Sequence, residues 1–212
     1  MWFSVRVVGF CVAAFLCGPA SATLLPAPRA GQAIEVKSGS LQVSEVTSKL
    51  SRGDPVYSQA RIETDETGFA KLLLDDGARL EMGSLSKVVI DEYVYRAERG
   101  AGAAALTLMR GMLRIVSGRM PSRNVTVTTP TADIGLRGTD FTLTQISPWS
   151  LLIHVHAGEV IASPARSPEH YRFVGTQIAV CTATSCVQRE DETGGPPRQD
   201  LEPAPGDDLS SW

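Results

Sequence analysis

The sequence predicts an all-β fold of a single domain. Between about residue 33 and residue 188 apolar residues recur every second position, the spacing of strands with one buried face, rather than at helical spacing. Turn residues separate these runs at roughly 8–12-residue intervals, which is typical of sandwiches, barrels and solenoids. A short turn near Leu85 or within Ala101–Ala105 is the only helical candidate, and the second of these is expected to be a flexible surface loop.

The N-terminal segment has the features of an export signal. Arg6 precedes an apolar run over Val7–Cys17, and Ala20 and Ala22 supply the small residues that signal peptidase recognises. The run is eleven residues long, short of the ~20 that a helix needs to cross a bilayer. The sequence therefore predicts a signal peptide over residues 1–22, cleaved near Ala22, and a periplasmic or secreted mature chain. An uncleaved anchor is the alternative.

The first half of the chain contains four candidate strands and one clear hairpin. Asp76-Gly77 joins two of these strands, and an Asp-Gly pair supplies the positive φ angles of a type I′ turn. The four candidates are Leu41–Val46, Phe69–Leu74, Ala78–Met82 and Lys87–Ile90.

The second half continues with strands of the same character, punctuated by glycines. The candidates are Leu106–Met109, Met112–Val116, Val125–Thr128, Phe141–Thr144, Leu151–His156, Glu159–Ala162 and Tyr171–Val174.

A conspicuous motif lies between Val125–Thr128 and Phe141–Thr144. A proline lacks a backbone donor and glycines permit unusual backbone angles, so the segment is predicted to be a constrained bend. Residues three apart on a strand face opposite sides, so Arg137 and Asp140 can pair only if Gly138 bends the chain. We interpret this pair as a buried structural clamp; the alternative is an arginine that binds an anionic ligand. The signature residues are Thr129, Pro130, Gly135, Arg137, Gly138, Thr139, Asp140 and Phe141.

Only two cysteines lie outside the predicted signal peptide. Cys181 and Cys186 flank a short polar linker between β-branched stretches, where a hairpin brings two residues within disulfide distance. An oxidising compartment favours that bond. The sequence predicts a structural Cys181–Cys186 disulfide, with free thiols as the alternative.

His154 and His156 are the only residues that suggest metal chemistry. On a strand both side chains project from one face, as two ligands of a metal would. Glu159 follows after a predicted turn, so it is poorly placed as a third ligand. The pair is expected to lie on the polar face of a half-buried strand, with metal binding as a minor alternative, and no cofactor is expected.

Composition restricts the partners. The chain carries a formal charge of −3 and no basic block, which argues against a nucleic-acid partner. No second long apolar segment exists, so no membrane span is expected in the mature chain. Residues 189–212 are acidic and rich in proline and glycine, and are predicted to be a disordered tail.

Four blocks of the sequence resemble the FecR domain family. The signature is similar to the centre of that family, and the other three blocks are Gly68–Met82, Gly111–Val116 and Ile153–Ile161. The resemblance identifies a FecR-like β domain over residues 23–188, with a motif-bearing core at 68–162. It implies a β-solenoid-like architecture, with a β-sandwich as the alternative.

The resemblance also implies a role in interaction rather than in catalysis. The family is best known for regulators whose FecR domain lies outside the inner membrane and passes a signal toward a sigma factor. We expect a non-enzymatic interaction or sensing module whose partner is an envelope protein or a cell-wall or surface polymer. The second hypothesis is a small-ligand or carbohydrate-binding domain with a concave site near His154 and Arg137. The third is a metal-dependent enzyme that uses His154 and His156.

Overall fold

The structure is a computed structural model that describes residues 27–189. The predicted signal peptide at 1–22, its cleavage site, and residues 190–212 of the predicted tail lie outside the described residues. Within 27–189 the chain forms thirteen strands and two short 3-10 turns, at Ala97–Arg99 and Ser122–Asn124. The strands are β1 (Arg29–Val43), β2 (Val46–Lys49), β3 (Pro55–Tyr57), β4 (Ala60–Leu74), β5 (Arg79–Met82), β6 (Lys87–Arg96), β7 (Ala101–Val116), β8 (Val125–Thr128), β9 (Ala132–Ser147), β10 (Ser150–Pro164), β11 (Tyr171–Val174), β12 (Ile178–Cys181) and β13 (Cys186–Arg189).

The long strands each belong to two parts of the sheet. In β4, Arg61–Glu63 pairs with β6 whereas Ala70–Leu73 pairs with β5. In β9, Asp133–Gly135 pairs with β8 whereas Asp140–Gln145 pairs with β7. The two halves of β1, of β7 and of β10 likewise pair with different strands. The sheet therefore forms two layers, one in the order β2-β1-β4-β6-β7-β8-β9-β10-β11 and the other β3-β1-β4-β5-β7-β9-β10-β12-β13.

The β1–β4 and β9–β10 hairpins each bend at a corner, where they pass from one layer to the other. The two corners have the same backbone features. The register shifts at each corner, and the alternation of buried and exposed residues is interrupted there. Ser38 and Gly138 adopt positive φ angles of 53° and 61°. A glycine on the partner strand faces each of them: a Cβ on Gly68 would lie 2.2 Å from the Ser38 oxygen, and one on Gly158 would lie 2.1 Å from the Gly138 oxygen. These glycines let two backbones approach more closely than any side chain would permit.

One hydrophobic core fills the space between the layers. Alternate residues of both layers point into it, as period-two patterning requires. Phe141, Leu143 and Ile153 from one layer and Ile62, Val88 and Val127 from the other have no solvent exposure. The all-β prediction is confirmed.

The strand pairing differs from that of a solenoid. Within residues 27–189 every pairing is antiparallel except that of β7 with β8, whereas the coils of a β-helix stack in parallel. The arrangement matches the sandwich that the sequence left as the alternative. The reason is that corners inside long hairpins, which periodicity does not reveal, turn the sheet back on itself.

Two local predictions need correction. The hairpin at Asp76-Gly77 exists, but only Gly77 has a positive φ (88°), and its N–H donates to the carbonyl of Leu74. It is therefore not a type I′ turn, which requires positive φ at both central residues. Ala101–Ala105 is not a loop but the start of β7, where small residues allow close pairing: a Cβ on Gly102 would lie 2.2 Å from the Val94 oxygen.

No helix within the described residues is both long and apolar enough to cross a membrane.

Candidate functional site

The signature begins as a tight turn between β8 and β9. The Thr129 hydroxyl accepts hydrogen bonds from the N–H groups of Thr131 (3.2 Å) and Ala132 (3.0 Å) and donates to the Ala132 carbonyl (2.8 Å). Pro130 lies exposed between them, where it needs no partner for a missing N–H. Thr129 and Pro130 therefore shape the turn and offer no reactive group.

A buried glutamine ties this turn to the next one along the chain. The Gln145 amide donates to the Thr131 hydroxyl (2.7 Å) and to the Ser147 carbonyl (2.6 Å), and the Thr131 hydroxyl contacts the Pro148 carbonyl (3.3 Å). Gln145 is only 6% exposed. This link could not be predicted from the sequence, because the two turns meet only when the β9–β10 hairpin has folded over.

The middle of the signature forms the β9–β10 corner. Gly138 supplies the positive φ angle, as predicted, whereas Gly135 lies in regular strand and does not use its conformational freedom. The carbonyl of the buried Thr139 accepts a hydrogen bond from the Ser117 N–H at 2.9 Å, and the Thr139 N–H donates to the Ser117 hydroxyl at 3.1 Å. Phe141 then enters the core.

The predicted pair of Arg137 and Asp140 is wrong. Asp140 accepts two hydrogen bonds from Arg114 on β7, at 2.9 and 2.8 Å. Arg137 is exposed on the other layer, in register with Glu159 of β10. The corner separates the two residues, because it places the chain before Gly138 in one layer and the chain after it in the other.

The Arg114–Asp140 contact has the bidentate geometry in which guanidinium and carboxylate groups bind most strongly. Hydrogen bonding to Arg114, opposed by burial and aided by charge attraction, lowers the pKa of Asp140. Arg114 also lies 3.7 Å from Glu81 on β5. The clamp of the signature is therefore real, but it joins β7 to β9 and uses an arginine outside the motif.

Arg114 and its neighbours belong to a polar row on the outer face of the second layer. Each member stands directly opposite the next on an adjacent strand. Cross-strand pairs of opposite charge stabilise a sheet modestly and fix its register. In order across six strands the row is Glu35, Lys71, Glu81, Arg114, Thr142 and His154.

The two histidines lie side by side at the end of this row, as predicted. Their ring centroids are 4.1 Å apart, and a hydrogen bond of 2.9 Å joins His156 Nε2 to the Thr142 hydroxyl. Nδ1 of His154 is buried without a hydrogen-bond partner in the described part of the chain. Burial, and then the neighbouring His154, lower the pKa of His156.

Among residues 27–189 the two histidines have no third metal ligand. Glu159 bonds to Arg172 on β11 at 2.8 Å, on the other side of the corner. Within residues 27–189 no group of three His, Cys, Asp or Glu side chains could hold a metal ion. The geometry thus suits a strand-face pair better than a metal centre.

Asp76, which the sequence analysis placed in a turn, has a buried carboxylate that binds several segments of the core. Asp76, only 3% exposed, accepts hydrogen bonds from the Tyr93 hydroxyl (3.0 Å) and from the N–H groups of Ala78 (3.1 Å) and Met120 (3.3 Å). Its own N–H donates to the Tyr93 oxygen at 2.9 Å. Burial raises the pKa of Tyr93 above its ordinary value. This cluster joins the β4–β5 turn to β6 and to the chain that follows β7.

One surface groove of the described residues lies away from His154 and Arg137. A polar groove of about 690 Å³ follows the corner of β1 and β4 and reaches the β5–β6 turn and β7. It is lined by Ser38, Gly39, Ser40, Glu63, Thr64, Asp65, Glu66, Thr67, Leu85 and Arg110. Within it Glu63 already contacts Lys87 (3.0 Å) and Arg110 (3.7 Å).

The predicted disulfide is present. Cys181 and Cys186 are directly paired residues of β12 and β13, and their sulfur atoms are bonded. The closed loop is short, so it stabilises a hairpin at the end of the second layer more than the whole domain.

The fold and these contacts define a class of protein: an all-β domain whose signature residues form a turn and a corner and bind residues of neighbouring segments. Residues 60–161 match the sequence model of the family described as FecR protein. The chain thus carries a FecR domain, and the resemblance that the sequence motifs suggested is confirmed. No curated protein matches the chain.

Among solved structures, the chain is similar to two crystal structures of a "putative anti-sigma factor" from Parabacteroides distasonis ATCC 8503. Each shares 14% sequence identity with this chain, with a TM-score of 0.47 over 61% of this chain. The similarity spans 59% of the length of those proteins.

Proposed function

We propose that the protein is a non-enzymatic interaction or sensing module that acts outside the cytoplasm and binds another component of the cell envelope. The observation that carries the proposal is the FecR domain at residues 60–161, whose signature residues serve the structure. Thr129 closes a turn, Gly138 forms a corner and Asp140 binds Arg114. These contacts give the three residues structural roles, which supports a module that acts by binding.

The location outside the cytoplasm is supported by the disulfide as well as by the N-terminal sequence. Disulfides persist in oxidising compartments and are rare in the cytosol. Fractionation of cells that express the full chain, with mass spectrometry of its N-terminus, tests this part. A cytoplasmic protein that still begins at Met1 would contradict it.

Affinity capture of the full chain from an envelope extract tests the binding role. We expect one other protein in a stoichiometric complex that survives washing. Recovery of a glycan or surface polymer, with no protein, would favour a polymer-binding module instead. The matched control is the same capture with an unrelated exported protein that carries the same affinity tag.

The second candidate function is the binding of a small polar ligand in the groove at Ser38 and Arg110. Its size is in the range of ligand-binding clefts, and its lining of hydroxyl, carboxylate and guanidinium groups suits a polar ligand. Dialysis of the protein against a mixture of soluble envelope saccharides, followed by mass spectrometry, tests it. Ligand retention that Arg110→Ala abolishes would favour this function.

A metal-dependent enzyme that uses His154 and His156 is the third candidate. Binding of zinc or nickel to the pair would raise the melting temperature, because a ligand that binds only the folded state stabilises it. A thermal shift that His154→Ala removes would support a metal site. An unchanged melting temperature at millimolar metal would argue against it.

A further inference from the structure

Exposed apolar side chains gather along one edge of the two-layer sheet. The members are Leu85 (46% exposed) in the β5–β6 turn, Met109 (42%) in β7, Ile146 (42%) at the end of β9 and Trp149 (62%) in the β9–β10 turn. We name these four residues the Trp149 ridge. Isolated exposed apolar residues are ordinary, but a contiguous set marks an interaction surface.

Strand register and one close backbone approach place the four residues on neighbouring segments of the fold. The Leu85 carbonyl oxygen lies close to Gly111, since a Cβ on Gly111 would be 2.9 Å from it. Gly111 is two residues after Met109. Gly111 pairs in register with Gln145, the residue before Ile146. Trp149 lies three residues further on, in the turn that begins after β9. The ridge thus runs from the β5–β6 turn across β7 and β9 to the β9–β10 turn.

An arginine lies at each end of the ridge, and the Arg110 guanidinium is already 3.7 Å from Glu63. The Arg166 guanidinium lies 6.0 Å from the centroid of the Trp149 ring, within cation–π range. Arg166 is exposed and forms no ion pair with an acidic side chain among residues 27–189. At the other end Arg110 follows Met109 directly. Tryptophan and arginine are the residues most enriched among those that carry binding energy at protein interfaces.

We propose that the Trp149 ridge is the surface by which this module docks a partner protein, and that the partner contributes an apolar segment flanked by carboxylates. The apolar part would cover the ridge, and a carboxylate would pair with Arg166, which has no ion pair among residues 27–189. This inference rests on the proposed function and specifies its binding surface and the chemistry of its partner.

The Thr131–Gln145 link holds the ridge in shape. Gln145 joins the turn before β9 to the carbonyls of Ser147 and Ser150, which bracket Trp149. An anchor residue on a fixed turn loses little conformational entropy on binding, which favours affinity. The buried amide network therefore has a use beyond stability.

Photo-crosslinking of the full chain in cells tests the proposal. A benzophenone side chain replaces Trp149 in one variant and Val187, which is 64% exposed on β13, in a control variant. We expect a covalent adduct with one other protein from position 149 and none from position 187. Mass spectrometry should place the adduct in an apolar segment of the partner that acidic residues flank.

Charge-reversal variants test whether the ridge, rather than another part of the surface, binds the partner. Arg166→Glu should lower the adduct yield by about tenfold, as loss of an interface arginine does, whereas Arg99→Glu, at another exposed arginine, should leave it unchanged. Both variants should keep the parent unfolding curve, since neither arginine is buried. An equal loss in both would overturn the proposal.

Other occupants of the ridge are distinct outcomes that would also overturn it. They are an adduct between two copies of the chain, an adduct with residues 190–212 of the same chain, and Trp149-dependent sedimentation with phosphatidylglycerol vesicles. A protein adduct from position 187 alone would reject the ridge and leave the proposed function standing. No protein adduct from either position, together with no captured protein, would reject both.

Discussion

The Arg114–Asp140 contact should be worth about 1 kcal/mol, and Arg137 should be worth almost nothing. Two hydrogen bonds of 2.9 and 2.8 Å join the pair, and the Arg114 and Asp140 side chains are 39% and 25% exposed. Fully exposed ion pairs contribute about 0.2–1 kcal/mol and buried hydrogen bonds to charged groups about 1.5–3 kcal/mol. A half-exposed bidentate pair lies near the boundary of those ranges.

A double-mutant cycle measures this value. Arg114→Met, Asp140→Asn and the double variant are unfolded in urea and followed by circular dichroism. We expect a coupling energy of about 1 kcal/mol and, for each single variant, a fall in melting temperature of about 2–4 °C, the shift that this energy produces in a domain of this size. Arg137→Met is the matched control and should change neither quantity.

Acid should remove the same stabilisation. Because the folded pKa of Asp140 is lowered, its contribution is complete above the unfolded pKa of about 3.9 and is lost as the pH falls through the folded value. The reasoning is refuted if Arg137→Met destabilises as much as Arg114→Met. A coupling energy near zero between Arg114 and Asp140 would also refute it.

Three further outcomes are expected. Gly158→Ala should lower the free energy of unfolding by about 3 kcal/mol, because the new Cβ would lie 2.1 Å from a carbonyl oxygen at a residue whose φ is 84°. Gly77→Ala should lower it by about 1 kcal/mol, because the φ of 88° is similar but the space is open. Urea unfolding of both variants measures the difference. Tyr93→Phe should cost about 1–3 kcal/mol through two lost buried hydrogen bonds, while Tyr95→Phe should be nearly neutral in the same assay. His156 has a lowered pKa in the folded state, so its contribution is complete above the unfolded pKa of about 6.5 and falls as the pH drops toward the folded value; His156→Gln should flatten the stability–pH profile in that window, and an unaltered profile would contradict this.

Local pattern predicted the strands well, because burial of one face imposes a period of two wherever the chain crosses the core. Phe69–Leu74 and Leu151–His156 lie inside β4 and β10, and the Cys181–Cys186 hairpin formed as expected. Strand ends were less predictable. The segment Ala101–Ala105 has a loop-like composition, yet it pairs with β6 because small residues tolerate close backbone contact.

Contacts across layers could not be predicted from local pattern. Arg137 and Asp140 are three apart in sequence, but the corner at Gly138 sends them to different layers, and Arg114 comes from 26 positions away. Asp76 has the sequence of an ordinary turn residue, and only the folded chain brings Tyr93 and Met120 to its carboxylate. The Trp149 ridge likewise combines residues from four separate segments.

Hydrogen exchange of the full chain, alone and with the protein that it captures, tests the central claim of a binding module that acts through its surface. The account predicts slower exchange around residues 109–111 and 145–150 in the complex, unchanged exchange in β2 and β13, and a captured partner whose mass is unaltered. A partner that leaves the complex chemically modified, or protection confined to β13 or the Ser38 groove, would contradict it.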